Sequence, residues 1–476
     1  MTKILLVDRS GRGHAYAELF SRTNHDVQVY YAPGCGAITT ERVTCLPHLS
    51  LSDPGPLIEF ATQQRIDMAF IANVMALSAG FVDEFRNAGI PVVGPDQQAS
   101  RLESSKIYTK EFCARNGLPV ADFVHFDNPE SAIRYVKESP YQVVVKADGL
   151  CGGNGSFVCD TPEDAVRAVE TLMIERKFED AGDRVVIEKR LFGRELSFFA
   201  VLDGNSYQLL PMALDYKKSD DGNLGITCGG MGAVSPHPME SAELYGKVKE
   251  QVLTPLLKAM KKEGIDYRGV IYLGCMLVGE KIYLLEINVR MGEPEAEVVL
   301  SRIESNFFEL CTAIMGQRIE SCELKLNDLY FCDVVGAQGK TRQIVKGKNK
   351  GWYPGWPYGR YGKYYPIHGV KDADSRRCKI FLGEAFQHPE KGLVTDGARV
   401  LHVVGFGKSH DEAVANAYAN IDHITFNGMR YRSDIGKIFP WQVLGCEDPS
   451  EAKVPQEEFL VDTNAFSVAG LPVIAG

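Results

Sequence analysis

Short apolar runs separated by amphipathic stretches set the organisation of the chain. KILLVD opens as a buried-type strand, and SGRGHAYAELFSR follows as a glycine-rich turn leading into a helix. DVQVYYAP, DMAFIANV and IPVVGP repeat the short apolar strand, with helical LIEFATQQR and SAGFVDEFRNAG between them. Strand–helix alternation of this kind predicts a doubly wound α/β unit, a parallel sheet with helices on both faces, over residues 1–100.

From residue 101 the texture becomes α+β. SRLESSKIYTKEFCARNG reads as one helix, YQVVVKADGLCGGNGSFVC as strand, glycine turn and strand, and TPEDAVRAVETLMIER as a helix with a Thr-Pro start. RVVIEKRLFGRELSFFAVLDG predicts two strands around a Gly turn, and YLGCMLVGEKIYLLEINVR a strand pair before a helix near Glu295. A β-rich region follows over 325–437, with an aromatic insertion at 352–365 expected to be an exposed loop or hairpin, and then an extension over 438–476.

A chain of 476 residues exceeds one hydrophobic core, so two to four domains are expected. The net charge of −10 argues against non-specific nucleic-acid binding and against a membrane surface. No apolar run reaches the ~18 residues that span a bilayer, and the N-terminus does not read as a signal peptide. The 12 cysteines lack CxxC pairs, which predicts reduced thiols in the cytoplasm and no zinc site.

One strand, within LLEINVRMGEPEAE at 284–297, breaks the apolar pattern. Glu286, Asn288 and Arg290 occupy every second position and share one strand face, where each needs a partner if buried. A carboxylate beside an amide oxygen suits a hard cation such as Mg²⁺, and a guanidinium suits the phosphate or carboxylate that accompanies it. A solvated face with a Glu286–Arg290 ion pair is the alternative.

KADGLCGGNGSF sets Lys146 at a strand end before a glycine-dense hairpin, whose backbone N–H groups can close over phosphate without Cβ obstruction; a plain turn fits as well. A strand follows it, so it is not a Walker loop. SGRGHA serves a ligand or close packing. IEKRLFGRELSF puts Glu188 at a strand end before a connector that offers backbone groups to adenine and Glu195 to a ribose, or forms an exposed charged turn. The stretch 215–236, DYKKSDDGNLGITCGGMGAVSP, reads as a long loop, either a lid or plain surface.

In this order, Lys106, Lys146 with its hairpin, Glu188, the GGMG loop and Glu286-x-Asn288-x-Arg290 resemble the ATP-grasp ligases. The chain is more closely similar to the glycinamide ribonucleotide synthetase (phosphoribosylamine–glycine ligase) family. GRGHA, AGIPVVGP, LESSKIYTKEF, VVVKADGL, CGGMGAVSP, EINVRMGEPE, TDGARVLHVVGFG, AYANI and YRSDIG carry the resemblance over residues 1 to about 437. It implies a substrate-side domain at 1–100, a small lobe at 101–190, a large lobe with the metal strand at 191–324 and a C-terminal domain at 325–437.

The resemblance further implies ATP and Mg²⁺ (or Mn²⁺) as cofactors. Lys106 and Lys146 would hold phosphates, and Gly152, Gly153 and Gly155 would cover them. The segment around Glu188, Lys189 and Leu191 would grip adenine, with Glu195 near the ribose. Glu286 and Asn288 would ligate the metal, and Arg290 and Lys146 would be the catalytic groups. Gly11, Arg12, His14, Asp215, Lys217, Gly229, Gly230, Met231, Arg290 and Glu293 would face the substrates. The implied reaction converts a small carboxylate, an amino acid, to an acyl phosphate that an amine attacks. No protein nucleophile is required, and a monomer or homodimer is expected.

Departures from the family pattern fall mostly on the substrate side. Gly13 stands where Glu is usual between Arg12 and His14, and IANVMALSAG carries no acid where Gly-Pro-Glu is usual. Asn154 replaces a Lys, Thr227-Cys228 an Asn-Thr, and Glu293 an Asp. They point to a paralogue with a changed amine or carboxylate in specialised metabolism, beside a purine-pathway ligase or an inactive nucleotide-binding regulator.

Overall fold

The computed structural model describes residues 1–38, 40–345 and 348–438; the expected extension lies outside the described residues apart from residue 438. At the N-terminus five parallel strands run in the order Val43–Cys45, Val27–Pro33, Thr2–Asp8, Met68–Ile71, Val92–Val93. Period-2 alternation explains how the central strand holds this unit together. Ile4 and Leu6 enter one apolar cluster with Tyr16 and Phe20, while Leu5 and Val7 enter another with Leu57 and Phe85. Helices therefore cover both faces, as the sequence pattern requires.

Two antiparallel sheets make the middle of the chain. The smaller is ordered Phe123–Phe126, Val185–Lys189, Val143–Ala147, Ser156–Val158 and has its own apolar cluster under the helices Pro129–Glu138 and Pro162–Val169. The larger is ordered Tyr207–Leu209, Arg194–Asp203, Arg268–Val278, Lys281–Asn288. The two strands expected around a Gly turn thus belong to different sheets, and residues 190–193 carry the chain between lobes. The crossing is tight: a Cβ on Gly193 would lie 2.3 Å from the Leu277 carbonyl oxygen.

A third sheet joins Leu214–Asp215, Gly232–Ser235, Tyr330–Gln338, Arg399–Gly407 and Cys378–Leu382, so the C-terminal region draws two strands from the preceding segment. Two local expectations change. The single helix expected from 101 is two, Gln97–Ser104 and Lys106–Arg115, because Ser105 leaves helical geometry and caps the second. The loop at 215–236 contains a hairpin, Lys218–Asp220 with Leu224–Thr227, and the strand Gly232–Ser235. The aromatic insertion packs on that hairpin through Tyr358, whose hydroxyl bonds Ser219 Oγ at 2.8 Å and also Asp220. Among the described residues the eleven cysteines are free thiols, and no helix is long and apolar enough to cross a membrane.

Candidate active site

The strand Lys281–Asn288 pairs with Arg268–Val278, placing Glu286 opposite Gly274 and Asn288 opposite Tyr272. Gly274 makes the room, since a Cβ there would sit 2.8 Å from Glu286 Cγ. Asn288 Nδ2 donates to Glu286 Oε1 at 3.3 Å, and Arg290 Nη2 donates to Asn288 Oδ1 at 3.2 Å. The three groups therefore meet on one face, although the strand ends at Asn288 and Arg290 lies beyond the ladder. There the Arg290 guanidinium is fixed by Glu103 Oε1 at 2.7 Å and the Met291 carbonyl at 2.9 Å.

Burial alone would raise the Glu286 carboxyl. Lys217, Lys146 and Lys106 outweigh it and hold the group down at about 2. Those lysines arrive from separate elements: Lys106 opens its helix, Lys146 lies on Val143–Ala147, and Lys217 follows Leu214–Asp215. Asp148, two residues after Lys146, fixes the start of the Lys106 helix, accepting from Ser105 Oγ at 2.8 Å and Ile107 N–H at 2.9 Å. An ionised, half-buried carboxylate and an amide oxygen with a spare lone pair form a donor set suited to a hard cation, and the three lysine ammonium groups around it suit the phosphates such a cation carries.

Glu188 plays another part than the sequence suggested. Its carboxylate is sealed between Lys146 at 2.8 Å and Lys110 at 2.9 Å, so the side chain is committed to two lysines and is not free for a nucleotide. Lys110 was not singled out in the sequence, yet it lies one helical turn after Lys106, which puts both on the same side of the helix. Lys189 is exposed with its ammonium over the Tyr141 ring, Leu191 is half-buried in the crossing, and Glu195 is exposed and ion-paired with Lys217.

The glycine hairpin turns at Gly152 and Gly153, with φ of +57° and +82°. A Cβ on Gly153 would lie 3.5 Å from Gly229 Cα, so its tip meets the GGMG segment. Gly155 packs against Cys151, and Asn154 Nδ2 bonds back to the Gly152 carbonyl at 3.1 Å. Gly230, at φ +95°, lies under Pro294; Gly229 O accepts from Arg399; Met231 is core. Asp215 is half-buried, and desolvation of its carboxyl together with Glu295 raises its pKa well above the usual carboxylate range.

On the substrate side, the Arg12 guanidinium is gripped by Asp8, through Nε at 3.1 Å and Nη2 at 3.3 Å, and its backbone N–H donates to Glu293 Oε2 at 3.3 Å. Burial works to raise Glu293, but Arg399, His402 and Arg12 hold it well below the usual carboxylate range. His14 is committed elsewhere: its Nδ1 accepts from Leu382 N–H at 2.8 Å, and burial, assisted by His402, lowers its pKa to about 3. Beneath Gly11 lie Glu297 and His402, which the sequence did not single out; a Cβ on Gly11 would come within 2.6 Å of the His402 ring.

The departures in this region have local partners. Gly13 leaves space for the Tyr31 ring, whose hydroxyl oxygen occupies a point 2.3 Å from where a Cβ would be and donates to Ser10 O at 2.7 Å. Asn73 of IANV caps the helix Val74–Ser78 and donates to Asp8 Oδ1 at 3.2 Å.

Family models for the phosphoribosylglycinamide synthetase N domain, ATP-grasp (A) domain and C domain match residues 2–103, 104–296 and 352–438. A phosphoribosylamine–glycine ligase of Archaeoglobus fulgidus is 36% identical over 92% of this chain and 100% of its own length. One from Clostridium acetobutylicum is 35% identical over 91% and 99%. Among solved structures, a phosphoribosylamine–glycine ligase of Thermotoga maritima superposes with a TM-score of 0.75 at 30% identity, covering 91% of this chain and all of that one. A biotin carboxylase domain of Hydrogenobacter thermophilus 2-oxoglutarate carboxylase, 16% identical with a TM-score of 0.65 over 90% of this chain and 91% of that one, shares the fold.

Proposed function

Because the chain belongs to the phosphoribosylglycinamide synthetase family, with its ATP-grasp domain, we propose that it is an ADP-forming ligase that joins the carboxylate of glycine to the amine of phosphoribosylamine. The observation that carries the chemistry is the convergence of Lys106, Lys146 and Lys217 on the Glu286–Asn288–Arg290 face. Bound between Glu286 and Asn288, Mg²⁺ would neutralise charge on the phosphates. The lysines orient the phosphate chain, and the carboxylate oxygen takes the γ-phosphoryl group as ADP leaves. Arg290, immobilised by Glu103, faces the acyl phosphate. The amine nitrogen then attacks the acyl carbon, loses a proton and expels phosphate. Phosphoryl transfer of this kind needs positioning and charge neutralisation more than covalent help.

The departures at Gly13 and in IANVMALSAG point, on the sequence alone, to a changed substrate. Tyr31 and Asp8 account for them as exchanges within the packing, and the similarity to phosphoribosylamine–glycine ligases over nine-tenths of the chain favours the purine-pathway reaction. The test is to supply ATP, Mg²⁺, glycine and phosphoribosylamine and to follow ADP and glycinamide ribonucleotide. Turnover supports the proposal. Silence there with ADP release on other amines or acids restores the changed-substrate reading, and silence on all of them restores the regulator.

A further inference from the structure

Beneath the first turn of the helix Gly11–Thr23, three ligand-type side chains converge without a partner between them. His402 Nε2 lies 3.7 Å from Glu293 Oε1 and 3.7 Å from Glu297 Oε1, too far for hydrogen bonds. Glu297 and His402 are both 0% exposed. Neither Glu297 oxygen has any hydrogen-bond partner, and neither does His402 Nε2. A buried carboxylate keeps its charge only where a cation compensates it: in the metal-free chain burial pushes the Glu297 carboxyl up to about 8, while the burial that would lower His402 is outweighed by Glu297 and Asp333, which push it up. The nearby guanidiniums of Arg12 and Arg399 serve Asp8, Glu293 and the Gly229 and Glu293 carbonyls, not Glu297.

From these observations we propose that Glu293, Glu297 and His402 form a second metal site, built from other residues than the Glu286–Asn288 pair, that takes a divalent transition-metal ion of the Zn²⁺ type. Three features fit. The two 3.7 Å separations from His402 Nε2 approach the spacing of about 3.3–3.5 Å that metal bonds of about 2.0–2.2 Å impose in a tetrahedral site, and the three ligand atoms, all within 4.8 Å of one another, would draw together on an ion. Glu297 has both oxygens open and can supply a fourth bond. His402 Nδ1 is held by Asp333 Oδ2 at 2.8 Å, the outer carboxylate that orients an imidazole and directs Nε2 to a metal. An imidazole ligand selects against Mg²⁺, which keeps to oxygen. Such an ion would run against the expectation of no zinc site drawn from the cysteine spacing, because its ligands are carboxylates and an imidazole. The ion would tie the turn after the metal strand to the C-terminal sheet, under the N-terminal glycine loop.

The full chain, purified without chelator and without nucleotide, should retain roughly one equivalent of Zn²⁺ by elemental analysis, and Glu286→Gln should retain as much. After stripping and reloading with Co²⁺, a visible d–d band should appear and should be lost in His402→Gln and Glu297→Gln. Removing the metal from the wild type should lower its melting temperature, and Zn²⁺ alone should restore it, a readout that does not depend on the variants folding. A stripped wild type that binds neither Zn²⁺ nor Co²⁺, metal retained undiminished in both variants, or metal lost with Glu286→Gln would each overturn the proposal.

Discussion

Glu188 Oε2 and Lys110 Nζ stand 2.9 Å apart with both side chains all but sealed from water, and Lys146 takes the other carboxylate oxygen. Burial works against charge on Lys110 and on Glu188, yet their attraction, joined by Lys146, holds the carboxyl below its ordinary range. Removing the carboxylate would leave two ammonium groups facing each other. Glu188→Gln should therefore destabilise the fold by about 3–5 kcal/mol, read from denaturant midpoints. A loss under about 1 kcal/mol would mean that water reaches the pair.

Glu286→Gln keeps the shape of the side chain and removes the charge on which three lysines converge. Mg-dependent ADP release should fall by about 10²–10³-fold while cooperative melting is retained. A near-normal rate would take Glu286 out of the site.

Gly13→Ala should cost about 1–3 kcal/mol, because the Tyr31 hydroxyl already fills the space a methyl would need. Combining it with Tyr31→Val should destabilise by less than the sum of the two single changes, and thermal melts of the four proteins complete the cycle. Strict additivity would separate the two residues.

Burial lowers the His237 pKa from its ordinary 6.5 to about 3, and its Nδ1 accepts from Met239 N–H at 3.0 Å. The folded state thus refuses a proton that the unfolded chain binds below 6.5. The contribution is fully present above 6.5 and is lost as pH falls toward 3. Between about pH 7 and pH 5 it should remove about 2 kcal/mol of stability. His237→Asn, which keeps an acceptor without a titrating ring, should flatten that limb in denaturation curves taken across the range.

Much of this site was legible because strand periodicity is unforgiving. Alternate positions must share a face, so Glu286 and Asn288 meet wherever the strand lies, and Arg290 joins them by reaching back after the ladder stops. What stayed hidden depends on contacts distant in sequence. Lys110 looks like an ordinary helix-surface lysine until Glu188 arrives 78 residues later. The break at Ser105 is set by Asp148, 43 residues away. His402 and Asp333 each left a trace, a single ionisable residue inside an apolar strand (VLHVV and FCDVV), but only the pairing of the two strands brings them together. The hairpin within 215–236 was masked by polar, glycine-rich composition, and side chains from the C-terminal region complete it: Arg430 and Arg432 hold its carbonyls and Ser433 holds Asp221.

The smaller sheet is entered through 116–122 and left through 190–193, and these two straps run side by side. Lys189 N–H donates to Asp122 O at 2.8 Å, and Leu284 N–H donates to Pro119 O at 2.7 Å. No strand ladder joins that sheet to the larger one, and its apolar cluster is its own. Polar ties cross between it and its neighbours, among them Lys110 to Glu188, Ser105 and Ile107 to Asp148, and Lys146 to the Leu285 carbonyl. Of these the Lys110–Glu188 pair is the most deeply sealed from water. The small lobe thus keeps its own oily interior and meets the rest of the molecule largely through ammonium, hydroxyl and carboxylate groups.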